Sequence, residues 1–401
     1  MTATAPAPSG ALGPASRLSL PPLSVVPEDD EFLVGDARTG VFLSIPEVGV
    51  VALRSLEAGA TIEEAALEAT AFAGTDVNVL EFAQVLVDAG LAQAGDPVRA
   101  APPVQRIRAG HVRPLFSPVA WTVYAACFAF SVAAFVLRPE LWPSFEDWFF
   151  LPNPAAAAIL TSVTGLAIAG VHEGFHWLGA RAEGVGARFA VGRRLFFPVF
   201  ETDLSQLWGV PRRRRYGPFL AGMAFNSVLL AASLGLRLAW TEGLLDLPPT
   251  LFRYLGLLVL LNVLGIGFQA LVFLRTDLYA VLITALGCRN LYRVNFLYLK
   301  GKLWSLAPPE AAELADAHER DVRVARWFAL LYVIGVAWAA WYFVRIFVPS
   351  TVVFAGWLFH GLGGIPLASS AFWQVAAIAS LFGLQAVWPL VVFLRERRNG
   401  A

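Results

Sequence analysis

The sequence predicts a mainly α-helical protein, a polytopic membrane helix bundle of about six spans with a small cytoplasmic α+β domain before it. The 401-residue chain is 57% hydrophobic and only 15% charged, whereas about a quarter of the residues of a soluble domain are charged. Its apolar residues are concentrated in runs of about 20 residues, the length that crosses a bilayer as a helix. These runs begin only after residue 115, so the first quarter of the chain is predicted to be a separate soluble domain.

Four segments follow from this division. Residues 1–28 are rich in Ala, Pro and Ser and lack the basic start and apolar core of a signal peptide, which predicts a disordered tail. Residues 29–95 form the soluble domain, and residues 96–114, with Pro102-Pro103, form a linker. Residues 115–398 form the transmembrane domain.

The soluble domain begins with a strand-turn-strand pattern. Glu31–Gly35 and Val41–Ile45 are predicted strands, and Asp36–Gly40 between them carries Gly at the turn. Three helices follow, with these start and stop signals: Pro46 for the first, a capping box Thr61–Glu64 for the second, Asp76 as the cap of the third, and Gly90 at its end.

The predicted spans lie near residues 115–137, 155–178, 217–240, 251–275, 327–347 and 371–394. A shorter apolar piece, Val352–Leu362, is interrupted by glycines and is predicted to be re-entrant or interfacial. Arginine and lysine are concentrated before the first span, between the second and third, before the fifth and after the sixth. The positive-inside rule then predicts a multi-pass protein of the cell membrane with both termini in the cytoplasm. The run Arg212–Arg215 lies between two spans, which favours membrane flanking over binding of nucleic acid.

The end of the second apolar run carries His172-Glu173-Gly174-Phe175-His176. On a helix, positions i and i+4 share one face, so both imidazoles can reach a single ion. Glu173 then lies beside the ion, where it can accept a proton from water. Ionisable residues at membrane depth are costly unless they bind something, which favours a metal site over an alternative in which the histidines are merely hydrogen-bonded inside the bundle.

A catalytic zinc site needs a third protein ligand and an open position for water. Two aspartates on the same predicted side of the membrane are candidates, Asp277 after the fourth span and Asp203 in the intervening loop. Asp246 and His360 fall on the opposite side and are excluded by the predicted topology. Asp277 is favoured because an apolar stretch continues beyond it, although a helix cap or a partner of Arg275 is the alternative role for this carboxylate.

Two other observations narrow the class of protein. Cys127 and Cys288 lie in or beside apolar segments with no pairing or metal spacing, so both are predicted to be packing residues. A di-iron membrane oxygenase needs many histidines as iron ligands. This chain has only five histidines, so that class of enzyme is excluded.

Three motifs in the middle of the chain, about residues 155–290, resemble the site-2 protease family of intramembrane zinc metallopeptidases. The first is His172-Glu-Gly-Phe-His-Trp-Leu-Gly-Ala180, with Gly184 beyond it. The second is Ala221-Gly-Met-Ala-Phe-Asn226, which has Met223 where the family usually has Pro in its Ala-Gly-Pro-x-x-Asn element. The third is Asp277-Leu278, where the family has Asp-Gly after a proline-rich run that this chain lacks.

The resemblance implies a membrane-embedded zinc endopeptidase that hydrolyses peptide bonds of a membrane-associated or precursor-peptide substrate. His172, His176 and Asp277 would hold Zn²⁺, and Glu173 would act as general base on the attacking water and pass the proton to the leaving amine. Asn226 would hydrogen-bond the substrate backbone or the developing oxyanion; the alternative is interhelical packing by a buried amide.

The soluble domain resembles the PqqD-like domain, a small winged-helix module that recognises precursor peptides. The resemblance covers the first quarter of the chain and rests on a hairpin, three short helices and the final Asp88-Ala-Gly-Leu91. It implies binding of a peptide by strand addition at a sheet edge. The alternative is a generic winged helix that tethers or regulates.

A second strand-like stretch, residues 186–200, is predicted to form a hairpin that presents an edge to an unwound substrate segment.

The competing function is a non-catalytic membrane subunit that binds a precursor peptide for modification or export. It predicts that Glu173 is dispensable, and the intact set of candidate ligands argues against it.

Overall fold

The computed structural model describes residues 12–349, apart from residues 30, 37–38, 96–108 and 195–196, and only separate pieces beyond residue 350, of which 366–380 is the longest. The described chain is mainly helical, with a small strand region near the N-terminus. It divides into two compact units. The first comprises Met1–Leu115, Trp177–Arg188 and Thr202–Pro218, and the second comprises Phe116–His176, Phe189–Glu201 and Phe219–Ala401.

The elements of the N-terminal region are β1 (Leu18–Ser19), β2 (Ser24–Glu28), β3 (Glu31–Asp36), β4 (Val41–Ile45), α1 (Glu47–Glu57), α2 (Ile62–Ala73), α3 (Val79–Asp88) and β5 (Gln93–Ala94). The remaining elements are α4 (Ala109–Val112), α5 (Pro118–Leu137), α6 (Pro154–Ala182), β6 (Arg188–Arg194), β7 (Phe197–Asp203), α7 (Arg212–Thr241), α8 (Pro249–Gln269), α9 (Asp277–Leu286), α10 (Leu291–Leu303), α11 (Pro308–Ala315) and α12 (Glu319–Tyr342).

In the first unit, β2, β3 and β4 form an antiparallel sheet in that order, and β1 pairs with β5. The two predicted strands are β3 and β4, and the three predicted helices are present. A disordered tail over residues 1–28 is a wrong prediction for β1 and β2, because Leu18 is buried in the core and β2 is hydrogen-bonded to β3. Such short strands, one of them containing Pro27, depend on their pairing partners rather than on their own sequence pattern.

At the helix ends of this unit, some of the predicted capping residues are confirmed and one is wrong. Thr61 and Glu64 form the reciprocal capping box of α2, with N–O distances of 2.8 and 3.2 Å. The hydrogen bond from the Thr61 backbone N–H is the main reason that the pKa of the Glu64 carboxyl lies below its ordinary value. The predicted cap at Asp76 is wrong, because α3 begins at Val79 and the side chain of Asn78 accepts the cap hydrogen bond. Gly90 ends this helix with a φ of +72°, as predicted.

Five helical segments are long and apolar enough to cross a membrane, namely Pro118–Leu137, Ala155–Ala182, Arg212–Thr241, Pro249–Gln269 and Glu319–Arg345. They match the first five predicted spans and are consistent with a multi-pass membrane protein. The fourth ends at Gln269 instead of residue 275, because a 3₁₀ turn (Val272–Leu274) and Arg275, with a φ of +60°, reverse the backbone there. The predicted sixth span is helical over residues 370–380 and otherwise falls largely outside the described residues, as does most of the piece at 352–362.

The basic run at the start of α7 contains a buried arginine. Arg215 is fully buried, and its guanidinium donates to both carboxylate oxygens of Glu28 at 3.0 and 3.3 Å. It also donates to the carbonyl oxygens of Val210 (2.7 Å) and Trp208 (3.2 Å) and lies 4.8 Å from the centre of the Trp208 ring. Arg215 therefore attaches the segment before α7 to strand β2 inside the first unit, a role that the sequence did not predict. The predicted membrane-flanking role of the run stays a prediction.

Replacing Arg215 by alanine is expected to destabilise the first unit by about 3–5 kcal/mol, because Glu28 would keep a largely buried charge without its partner. Hydrogen exchange of the β2 and β3 backbone amides in the full chain measures this loss. Arg213→Ala is the matched control, since Arg213 is exposed in the same run. Equal protection of these amides in the two variants would contradict the structural role of Arg215.

Candidate metal centre

Three potential ligand atoms converge in the second unit. His172 Nε2 and His176 Nε2 lie 3.1 Å apart on successive turns of α6. Each of them lies 3.0 Å from Asp277 Oδ2. Two histidines of one helix and an aspartate about a hundred residues further along the chain therefore form a nearly equilateral triangle of donor atoms.

The first turn of α9 positions the aspartate. Asp277 is the first residue of this helix, and its backbone N–H donates to Gln269 Oε1 at 2.9 Å. Thr276 Oγ1 donates to the Gln269 carbonyl oxygen at 2.7 Å. Gln269, the last residue of α8, thus holds both residues that lead into α9. This contribution was missed by sequence reasoning; its only signal was a polar side chain at the end of an apolar span.

The triangle is well shielded from solvent. The side chains of His172 and His176 are 11% and 3% exposed, and that of Asp277 is 24% exposed. Buried ionisable groups are stable only when they are paired or bind an ion. Imidazole and carboxylate groups are also the ligand types that first-row transition metals prefer.

Glu173 belongs to the same cluster. Ligand atoms of His172, Glu173 and His176 all lie within 4.8 Å of one another, so this group can hold a metal ion. Glu173 also lines a cavity of about 330 Å³, together with His172, Asn226 and Gln269. A carboxylate at that distance from the imidazoles, on the wall of a cavity, can reach a water molecule held between them.

Asn226 of α7 orients one of the imidazoles. Its Oδ1 lies 2.8 Å from His172 Nδ1, and the residue is 3% exposed. If Nδ1 carries the proton and donates to this amide oxygen, the lone pair of Nε2 points towards His176 and Asp277. Asn226 thus links α6 and α7 through the candidate ligand, and its predicted contact with substrate stays a prediction.

Gly222 lies one helical turn before Asn226 and faces the same imidazole. A Cβ atom built at residue 222 would clash with the ring atoms of His172, so only glycine leaves room for the ring in this position. The sequence signal was the small residue inside the Ala221–Asn226 element, but sequence reasoning assigned it no role. Like Gln269, this residue acts through a candidate ligand rather than as one.

Gly222→Ala is expected to displace the His172 ring and to weaken metal binding by about 10- to 100-fold, the range for residues that orient a ligand. Titration against a chromophoric chelator measures the affinity. Gly235→Ala on the same helix is the control, because a Cβ there meets only Phe130 at 4.0 Å. Unchanged affinity in the Gly222 variant would show that the ring position is not decided by this contact.

The other candidate ligands and the two cysteines have the following environments. Asp203 Oδ1 accepts a hydrogen bond from the Ser205 backbone N–H at 3.0 Å, a local contact after β7. Asp246 is exposed, and His360 lies outside the described residues. Of the two cysteines, Cys127 is half-buried and Cys288 is buried.

No protein-family model, no curated protein sequence and no solved structure matches this chain. The geometry and chemistry of the cluster are therefore the evidence for its function.

Proposed function

We propose that this protein is a membrane-embedded zinc metalloendopeptidase. The observation that carries the proposal is the convergence of His172 Nε2, His176 Nε2 and Asp277 Oδ2 beside a cavity that Glu173 lines. Two imidazoles and one carboxylate are a common ligand set for catalytic zinc, which keeps one further position for water or substrate.

The distances support zinc as the ion. Donor atoms that lie about 2.0–2.1 Å from one tetrahedral zinc are separated by about 3.3 Å. The donor atoms here are 3.0–3.1 Å apart, so a small displacement of each side chain reaches that separation. The ring of His172 is already held by Asn226, and the carboxylate of Asp277 is held through Gln269.

In this proposal the reaction is hydrolysis of a peptide bond. When bound, zinc polarises the substrate carbonyl and lowers the pKa of water to about 7. Glu173 accepts a proton from the attacking water as the new C–O bond forms, and it then delivers that proton to the amine nitrogen as the C–N bond breaks. The side-chain oxygens of Asn226 and Gln269 are engaged by His172 and Asp277, which leaves their NH₂ groups to donate to a peptide backbone in the cavity.

The sheet of the first unit supports a role in peptide recruitment. Its sheet has β2 and β4 as edge strands, and Val41 at the start of β4 is exposed. In this proposal the unit is a PqqD-like, winged-helix recognition module that binds a precursor peptide by strand addition. The arginine-rich loops and both termini are proposed to face the cytoplasm of the cell.

The experiment uses the purified full chain in lipid vesicles, loaded with one equivalent of zinc and incubated with a mixed peptide library. New peptide termini are identified by mass spectrometry for the wild type and for Glu173→Gln. Termini produced by the wild type alone are expected. Equal cleavage by both proteins, or cleavage by neither, would overturn the proposal and favour a non-catalytic subunit.

A further inference from the structure

The cavity beside the candidate metal centre extends away from the ligands along two helices. On α6 it is lined by Gly165, Ala169 and His172, which share one face because they are spaced four and three residues apart. On α8 it is lined by Leu261, Gly265 and Phe268 with the same spacing. At a rise of about 1.5 Å per residue, the stretch of α6 from Gly165 to His172 is about 10 Å long.

The two ends of this cavity differ in chemistry. The end near the ligands has the polar side chains of Glu173, Asn226 and Gln269. The other end has only small or apolar lining residues, because the two ionisable residues among the lining residues described, His172 and Glu173, both belong to the metal cluster. A charged group buried at the apolar end would have no partner, so this end favours an uncharged, apolar occupant.

The absence of a side chain at Gly165 keeps the apolar end open. A Cβ atom built at Gly165 meets nothing within 4 Å, so a side chain there would fill the space in front of it without moving the backbone. Gly265 belongs to the polar end, because a Cβ atom built there lies 3.4 Å from Asn226 Nδ2.

We propose that the apolar end of this cavity is a specificity pocket for a bulky apolar side chain next to the scissile peptide bond, and that Gly165 sets its size. This inference rests on the proposed peptidase function and deepens it. A volume of about 330 Å³ lies within the range of small-molecule pockets and exceeds what an alanine side chain needs. An extended peptide fits both ends of the cavity. Its backbone accepts hydrogen bonds from the side-chain amides of Asn226 and Gln269, while one of its side chains enters between α6 and α8. Phe200 of strand β7 lines the same cavity, which places strand backbone beside this path.

The test uses peptidyl hydroxamates, whose hydroxamate group binds a metal, with Ala, Leu or Phe as the adjoining side chain. Their dissociation constants are measured on the full chain in vesicles loaded with zinc. The wild type is expected to bind the Leu or Phe probe about 10- to 200-fold more tightly than the Ala probe, as apolar pockets discriminate between side chains of different size. Gly165→Leu is expected to abolish this preference while retaining the affinity for the Ala probe, and Gly165→Ala is expected to reduce it in part.

Gly170→Leu is the matched control, because Gly170 lies on the same helix, is exposed and does not line the cavity. The inference is overturned if the wild type binds all three probes equally, which is the result expected of a groove filled by a lipid acyl chain. It is also overturned if Gly165→Leu keeps the preference for the larger probes, or if Gly170→Leu loses that preference. Hydrolysis by the same wild-type preparation and its loss in Glu173→Gln are read separately. The pocket can thus be disproved while the peptidase function stands, whereas a wild type that binds no probe and cleaves no peptide disproves both.

Discussion

Replacing Glu173 by glutamine is expected to lower the rate of peptide hydrolysis by about 10²- to 10⁴-fold, the usual contribution of a positioned general base. Glutamine has nearly the same shape as glutamate but cannot accept a proton from water at neutral pH. Because the three proposed ligand atoms belong to other residues, zinc content is expected to stay near one per chain. Loss of activity with retained metal would separate the role of Glu173 from metal binding.

A matched control for this variant is Glu146→Gln, since Glu146 is an exposed carboxylate in the 3₁₀ helix Phe145–Phe149. It is expected to cleave as fast as the wild type. If Glu173→Gln loses its zinc together with its activity, the carboxylate is a ligand and the proposed division of roles is wrong. If it keeps full activity, another group takes the proton.

Replacing Asp277 by alanine is expected to remove zinc from the purified protein. The site would lose one of its three donor atoms. Only the two imidazoles, one turn apart on α6, would then remain to hold the ion. Even residues that only orient a ligand contribute about 10- to 100-fold to metal affinity, so the loss of a ligand is expected to exceed that range. Elemental analysis after dialysis against a weak chelator measures the zinc content.

Asp203→Ala is the informative comparison for this result, because Asp203 was the competing third ligand on sequence grounds. Its carboxylate is engaged with the Ser205 backbone, so this variant is expected to retain zinc. The opposite outcome, zinc lost from Asp203→Ala and kept by Asp277→Ala, would exclude the proposed ligand set. Circular dichroism of both variants distinguishes loss of the ion from loss of the fold.

Local sequence signals predicted the parts of the fold that depend on neighbouring residues. The Thr61–Glu64 capping box and the stop at Gly90 are set within one helical turn and were found correctly. The five long apolar helices were predicted because about 20 consecutive apolar residues need no tertiary partner to be recognised. Strands β1 and β5 were missed because each is stabilised by pairing with the other, a distant segment. Strand β2 was missed because its sequence contains Pro27 and it depends on pairing with β3. The end of α8 was misplaced because the apolar composition continues through the turn that follows it.

The sequence by itself determined that one helix carries two histidines and a glutamate with metal-binding spacing, since this depends only on the helical repeat of α6. Only the tertiary structure decided what completes the cluster. Asp277 joins it because a 3₁₀ turn and Arg275, with its positive φ, separate α8 from α9, and because Gln269 accepts the backbone N–H of Asp277. Gly222 and Asn226 orient His172 because α7 packs against α6, and Arg215 is a buried ion-pair partner because β2 folds onto the segment before α7. The contacts of His172 with Asp277, Asn226 and Gly222 and the contact of Arg215 with Glu28 join segments far apart in the chain, so no local pattern of residues encodes them.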